Sequence, residues 1–323
     1  TGDTVFVGDV GRTDFLGEKM TPVMSEKLYY SITEKLFSLG DGVIVCPAHG
    51  SGSVCGGNIR EREISTIGIE KKTNPMLNLS KEDFIKEKTS EQHQTPPYFK
   101  QMEEYNLNGP PILGEIPSPH PLTPSEFRKT AENAYIIDTR TPAAFGAAHI
   151  KGSFSLTPKR LLNVGWVTDY NKPILLVVED LHALDFAADN LFRLGLDKIA
   201  GYLEGSIEAW YKQGLLVAKN GLLSVHELKK MIDTNQEITI LDVRREKEWN
   251  EGHIEGAIRI YLGHLPKHTD EIPRDKSIVV ICKTGNRSSF GASILLRAGF
   301  EKVYNCLGGI DAWIKSGFKL TKS

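Results

Sequence analysis

Ile278-Val279-Val280-Ile281-Cys282-Lys283-Thr284-Gly285-Asn286-Arg287-Ser288-Ser289 reads as a strand, a tight loop and the start of a helix. Four unbroken apolar residues, all β-branched, suit a strand buried on both faces. The polar loop ends in a helical pattern over Phe290 to Arg297. A buried strand that runs straight into a helix belongs to a parallel sheet covered by helices. The junction also sets a cysteine at the mouth of a helix N-terminus, where free N–H groups and the helix dipole favour the thiolate, the nucleophilic form. Gly285 lets the loop curl so that successive N–H groups face inward as an anion nest, while Lys283 and Arg287 add positive charge. A guanidinium can grip an oxyanion at two points. Cys282 is therefore expected as a nucleophile assisted by Arg287, with Lys283, Thr284, Gly285, Asn286 and Ser288 cradling an anionic substrate. An inert core thiol would have apolar neighbours instead.

Outward from this stretch the chain repeats itself at an offset of 104 residues. Ile137-Asp138-Thr139-Arg140 recurs as Leu241-Asp242-Val243-Arg244, and Ala148-His149-Ile150-Lys151-Gly152 as Gly252-His253-Ile254-Glu255-Gly256. The register continues to Leu203-Glu204-Gly205 against Leu307-Gly308-Gly309, after which Ser206 reads as one extra residue in the first copy. Each copy opens on a capped amphipathic helix, with Thr123 and Ser224 as N-caps and Glu126 and Glu227 three residues later. Strands are expected at 135–137, 174–178, 238–241 and 278–281, alternating with helices. The same offset puts Val178-Glu179-Asp180-Leu181-His182-Ala183-Leu184 where the second copy has its loop. Thiol, glycine and arginine are all gone, and the two acids repel an anion. The first copy is expected to be chemically silent, a scaffold for the second. Cys306, after a short strand, is expected to serve packing.

Cys-x-x-Gly-x-Arg-Ser after a buried strand resembles the active loop of the rhodanese family. Asp242-Val243-Arg244, Glu251-Gly252-His253-Ile254-Glu255-Gly256-Ala257 and Leu307-Gly308-Gly309-Ile310-Asp311-Ala312-Trp313 are similar to its other landmarks, so the resemblance covers roughly 221–323. It implies a sulfurtransferase in which Cys282 takes sulfur from thiosulfate or a low-molecular-weight persulfide and hands it to a thiol acceptor, without a cofactor. It also implies that Asp242 and Arg244 tie the sheet edge to a neighbouring loop and that His253 sits in a turn. Related phosphatases and arsenate reductases place one more residue between Cys and Arg, which disfavours that chemistry here.

Thr1-Gly2-Asp3-Thr4-Val5-Phe6, Gly11-Arg12-Thr13-Asp14-Phe15 and Pro47-Ala48-His49-Gly50 resemble the second half of a metallo-β-lactamase-fold enzyme. That resemblance implies Asp3 and His49 as metal ligands. The Gly-Arg-Thr-Asp variant is closer to persulfide dioxygenases, with a single non-haem iron, than to glyoxalase II, and it implies Arg12 beside an anionic thiol persulfide. The family's His-x-His-x-Asp-His cluster does not occur in these 323 residues, and Asp3 with His49 cannot complete a site. Iron (or zinc) is thus expected only in a complete domain. Cys55, just after His49, is expected to present a thiol at the mouth of that site. Two rival readings are a glyoxalase II-like hydrolase with a rhodanese tail and a non-catalytic sulfur relay.

The expected organisation is α/β: a partial αββα metallo-β-lactamase-like domain plus linker over 1–115, a silent rhodanese-like copy over 116–219 and an active copy over 220–323. The segment 71–121, rich in Lys, Glu, Gln, Asn and Pro, reads as helix plus extended linker. A net charge of −2 and the lack of an 18-residue apolar run argue against nucleic acid and membrane as partners. Four scattered cysteines suit a reducing, cytoplasmic setting. A homo-oligomer through the β-lactamase-like half is one open arrangement. The sequence opens at Thr1 within a strand-like segment, so its N-terminus reads as cut.

Overall fold

The duplicated pattern builds two all-parallel five-stranded sheets of one topology. In the first copy the order is Pro121–Leu122, Ile199–Leu203, Ile174–Val177, Tyr135–Asp138, Phe154–Ser155; in the second it is Gly221–Leu223, Val303–Cys306, Ser277–Ile281, Ile238–Asp242, Ile258–Arg259. The expected strands agree to within a residue, because a central parallel strand is covered on both faces and shows as an unbroken apolar run. Thr123 with Glu126 and Ser224 with Glu227 form capping boxes on the Pro124–Ala131 and Val225–Asp233 helices.

This computed structural model describes residues 1–51, 53, 55–91, 96–112, 114 and 118–322, and the chain divides into two units, Thr1–Thr95 and Pro96–Ser323. Val54 beside Cys55 and Pro117 of the proline-rich linker lie outside the described residues. The division falls earlier than 115. Tyr98 and Tyr105, on and just before the Phe99–Asn108 helix, pack so closely on Gly165 and Gly195 of the first copy that a Cβ at either glycine would collide with the ring. The segment expected as helix plus linker is thus divided, its residues before Pro96 lying in the first unit and those from Pro96 onward in the second.

Within that unit the two copies share one core. Ile137, Leu161, Val164 and Leu176 of the first copy join Leu265, Val280, Phe290 and Ile294 of the second in a single buried cluster, while each sheet's other face has a smaller cluster around Trp210 or Trp313. The helix Asn286–Arg297 lies at the seam, buried from Ser288 through Leu295. Phe154 meets Phe290 edge-on with centroids 6.0 Å apart, and the Arg297 guanidinium stacks 4.6 Å over Phe154. Ser155 bonds Ser289 through their hydroxyls at 2.7 Å and donates its backbone N–H to Ser293 Oγ at 3.1 Å.

The first unit is a small α/β body. Short antiparallel pairs, Val5–Phe6 with Asp9–Val10 and Ile44–Val45 with Ser65–Thr66, pack with the Thr21–Tyr30, Ile67–Thr73 and Lys81–Ser90 helices around Val10, Ile32, Val45 and Phe84. Beyond Tyr30 the first helix loosens to a π-turn over Ser31–Leu36. A buried carboxylate, Glu70, accepts from the Gly8 N–H at 2.8 Å and from the Asn74 amide at 3.1 Å, pinning loop to helix. No described helix is long and apolar enough to cross a membrane.

Candidate active site

The Ser277–Ile281 strand, central in its sheet, ends on Cys282, and the Asn286–Arg297 helix starts after a three-residue loop. Gly285 caps that helix in the left-handed region at φ 97°, where a side chain is strained. Its N–H donates to Cys282 Sγ at 3.2 Å. Ser288 Oγ lies 3.3 Å from the same sulfur and donates to Asn305 Oδ1 at 2.6 Å, while Asn305 Nδ2 donates to the Gly285 carbonyl at 3.1 Å. Strand, loop and helix are thereby tied around one thiol. Cys282 is only 1% exposed, beneath the exposed side chains of Lys283 and Thr284. Asn286 Nδ2 reaches Thr284 Oγ1 at 3.4 Å.

The loop's carbonyls are held from behind. Ile310 N–H donates to Cys282 O at 2.9 Å and Asp311 N–H to Lys283 O at 3.0 Å, from the first turn of the Gly309–Lys315 helix. Gly309 has φ 56°, and a Cβ there would collide with Cys282 O and sit 2.7 Å from the Lys283 carbonyl. The cysteine backbone can occupy its place only because Gly309 has no side chain.

Arg287 departs from the expected oxyanion clamp. Its Nη1 and Nη2 donate to Glu248 Oε2 and Oε1 at 2.7 and 2.6 Å, a two-point pair with a carboxylate of the Glu246–Glu251 helix. Burial opposes the charge on Arg287, but the Glu248 pair outweighs it, aided by the nearby Cys282 and Asp242, and holds its pKa above the usual guanidinium range. Burial likewise raises Glu248, and the Arg287 pair overrides it to leave the carboxyl below its ordinary value. Burial pushes the Cys306 thiol up to about 12, so it stays protonated and fills space, as expected.

The other polar landmarks are structural. Arg244 donates to Asp242 through Nε and Nη2 and reaches the Gly252 carbonyl at 2.8 Å; Arg140 does the same with Asp138 and Ala148 O. His253 stacks on Trp249 at 3.6 Å and His149 on Phe145 at 3.9 Å, each ring bonded to its partner's backbone carbonyl.

Comparing the copies corrects one expectation. Ile174 pairs with Ile199 but Leu175 with Gly201, whereas Ile278 and Val279 pair with consecutive Val303 and Tyr304. The extra residue of the first copy is therefore a bulge at Ala200, and Ser206 is the counterpart of Gly309, at the matching φ of 54°. Its hydroxyl donates to the Val178 carbonyl at 2.8 Å, where Cys282 has its own carbonyl held by a backbone N–H. With that register, Leu184 stands for Ser288, Tyr202 for Asn305, Ala183 for Arg287 and Ala144 for Glu248. Asp180 Oδ1 accepts the Ala183 N–H at 2.7 Å, so a carboxylate occupies the helix N-terminus left open in the second copy. The whole polar assembly is absent from the first copy.

Sequence reasoning missed Glu248, Asn305 and the role of Gly309. The offset alone pairs Glu248 with Ala144, so a difference between copies marks it; Asn305 against Tyr202 is visible only once the bulge is placed. Ser288→Ala is expected to strand the buried Asn305 Oδ1 and to cost about 1–3 kcal/mol in urea unfolding. A variant as stable as the parent would show the network to be dispensable.

In the first unit His49 Nε2 lies 3.2 Å from Asp3 Oδ1, both side chains well exposed. His49 lines an open cavity of about 620 Å³ with Val7, Pro47, Arg60 and Arg62. Arg12 is not on that lining: it is buried, pairs with Asp14 at 2.6 Å and lies 5.1 Å over Phe15. Cys55 is not on it either, and its N–H donates to Ser53 Oγ at 3.1 Å. Among the described residues no group of three or more His, Cys, Asp or Glu side chains is placed to hold a metal ion. Asp3 and His49 by themselves do not fit an iron or zinc ion.

Against known proteins, the model of the rhodanese-like domain matches twice, at residues 123–213 and 224–316. Thiosulfate sulfurtransferase GlpE of Shewanella oneidensis is 34% identical over 91 residues, 28% of this chain and 89% of that protein. A sulfurtransferase of Allochromatium vinosum is 30% identical over 92 residues, 28% of this chain and 85% of its own length. The crystal structure of a metallo-β-lactamase from Staphylococcus aureus is similar at a TM-score of 0.53 and 31% identity, covering 62% of this chain and 56% of that one. The chain spans half or less of the first curated relatives it matches.

Proposed function

The chain belongs to the rhodanese-like domain family, as a tandem pair fused to a metallo-β-lactamase-like piece, and on that premise we propose that it is a sulfurtransferase whose sulfur carrier is Cys282. The Cys282 thiolate attacks the outer sulfur of thiosulfate or a persulfide. The donor's S–S bond breaks, its electron pair leaves with sulfite or a thiolate, and Cys282 holds the sulfur as a persulfide. An acceptor thiolate then attacks that outer sulfur and returns Cys282 to its starting state. One observation supports this reading above the rest: the Gly285 N–H donates to Cys282 Sγ at the open N-terminus of a buried helix, where developing negative charge on sulfur is stabilised without reorganisation.

The copy over 116–219 acts as scaffold for the copy over 220–323. The persulfide dioxygenase and glyoxalase II-like readings of the first unit both need more ligands than Asp3 and His49 supply, and no step is drawn through a metal. Metal content of a longer chain separates them, one iron against two metals.

The test is multiple-turnover transfer from thiosulfate, or from a small hydropersulfide, to cyanide, with intact mass measured after donor alone. Turnover and a gain of one sulfur atom are expected. A sulfur adduct without turnover would establish the relay reading, and neither signal with either donor would overturn the assignment.

A further inference from the structure

The guanidinium that would bind an anionic donor is already engaged. Arg287 and Glu248 meet at two points, 2.6 and 2.7 Å apart, with side chains 14% and 26% exposed, so the pair is sheltered and geometrically ideal. Arg244, the other buried arginine of this copy, is matched in the same way by Asp242. The loop's remaining cation, Lys283, is exposed and solvated. The silent copy carries Ala144 and Ala183 at the matching positions, so the two charges are present together or absent together.

We propose that Glu248 sets the charge of the sulfur donor: by neutralising Arg287 beside Cys282 it fits the site to hydropersulfides, in preference to dianionic thiosulfate. This rests on the reading of Cys282 as sulfur carrier. With a hydropersulfide, Cys–S⁻ + R–S–SH gives Cys–S–SH + R–S⁻: one S–S bond forms as another breaks, the electron pair leaves on the donor thiolate, and the proton stays on the transferred sulfur. For an uncharged R group the reacting assembly carries a single negative charge, which the Gly285 N–H and the helix N-terminus can accommodate. With thiosulfate, Cys–S⁻ + S–SO₃²⁻ gives Cys–S–S⁻ + SO₃²⁻, and three negative charges must be gathered at a buried sulfur. A free guanidinium would offset that; one held by Glu248 does so far less. Glu248 touches no reacting atom and is a positioning residue that acts through Arg287.

Glu248→Gln keeps the shape and removes the opposing charge. Steady-state kinetics of the full chain with thiosulfate and with the hydropersulfide of 2-mercaptoethanol, cyanide as acceptor, read the effect. The ratio of kcat/KM for thiosulfate to that for the hydropersulfide is expected to rise about tenfold, mainly through a lower thiosulfate KM, with a steeper salt dependence. Glu248→Asp, which restores the charge, should return the ratio toward the parent value. An unchanged ratio, or equal losses with both donors, would make the pair purely structural and overturn the proposal. Should Glu248→Gln not fold, the parent protein decides: kcat/KM for thiosulfate equal to or above that for the hydropersulfide overturns it. Absence of transfer from either donor in the parent would instead remove the sulfurtransferase reading, a distinct failure.

Discussion

Cys282→Ser is expected to lower sulfur transfer by about 10³-fold or more and to abolish the one-sulfur mass gain, with little change in urea stability. The substitution keeps a small polar atom where Gly285 N–H and Ser288 already converge, so the fold has no reason to shift. What disappears is the ability to carry sulfur as a persulfide. Cys306 cannot stand in, because it is fully buried and its thiol is pushed up to about 12. Rates with both donors and intact mass before and after donor check this. Transfer that survives the substitution would move the nucleophile elsewhere, with Cys55 the first residue to test.

Gly309→Ala is expected to be nearly as severe while leaving every reacting group in place. A residue at φ 56° other than glycine costs about 1 kcal/mol, and its Cβ would overlap Cys282 O and crowd the Lys283 carbonyl at 2.7 Å. Either the Gly309–Lys315 helix withdraws, breaking the Ile310 and Asp311 N–H bonds to the loop, or the loop moves and takes the thiol with it. A loss of about 3 kcal/mol in urea unfolding and at least about 10²-fold in kcat/KM should follow. The first copy shows what accommodation looks like: Ser206 tolerates the same backbone angle with its hydroxyl bonded to Val178 O, in a copy with no thiol to position. A variant with parental activity would mean that the loop is not locked from behind.

Much of this was legible in the sequence for a definite reason. Central parallel strands are buried on both faces, so Ile174–Val177 and Ser277–Ile281 stand out as apolar runs, and the capping boxes at Thr123 and Ser224 are local rules written in four residues. The loop itself was equally plain, since Cys282, Gly285 and Ser288 act within one short segment. Residues that meet only through the fold were not. Glu248 lies 39 positions before Arg287, and Asn305 17 after Ser288; nothing in the linear pattern joins them, and the two-point appearance of Arg287 suggested a substrate rather than a carboxylate of its own chain. The bulge at Ala200 was misread because a single inserted residue can be slid along an alignment until hydrogen bonding fixes it. The packing of Tyr98 and Tyr105 on the first copy was hidden for a related reason: they bind to bare glycine surfaces, which leave no apolar signature.

The helix that follows Cys282 rests its far side on Phe154 and Ser155 and shares its core with Leu161 and Val164. A genetic screen for lost sulfur transfer should therefore return alleles more than a hundred positions from the thiol, in the half of the duplication that has Val178 in its place. For the same reason the active half is a poor cassette to transplant by itself, because cutting at the repeat boundary would bare Phe290 and Ile294 to water. One copy lacks the thiol loop, but its strand carries the helix of the other, so the pair is the structural unit.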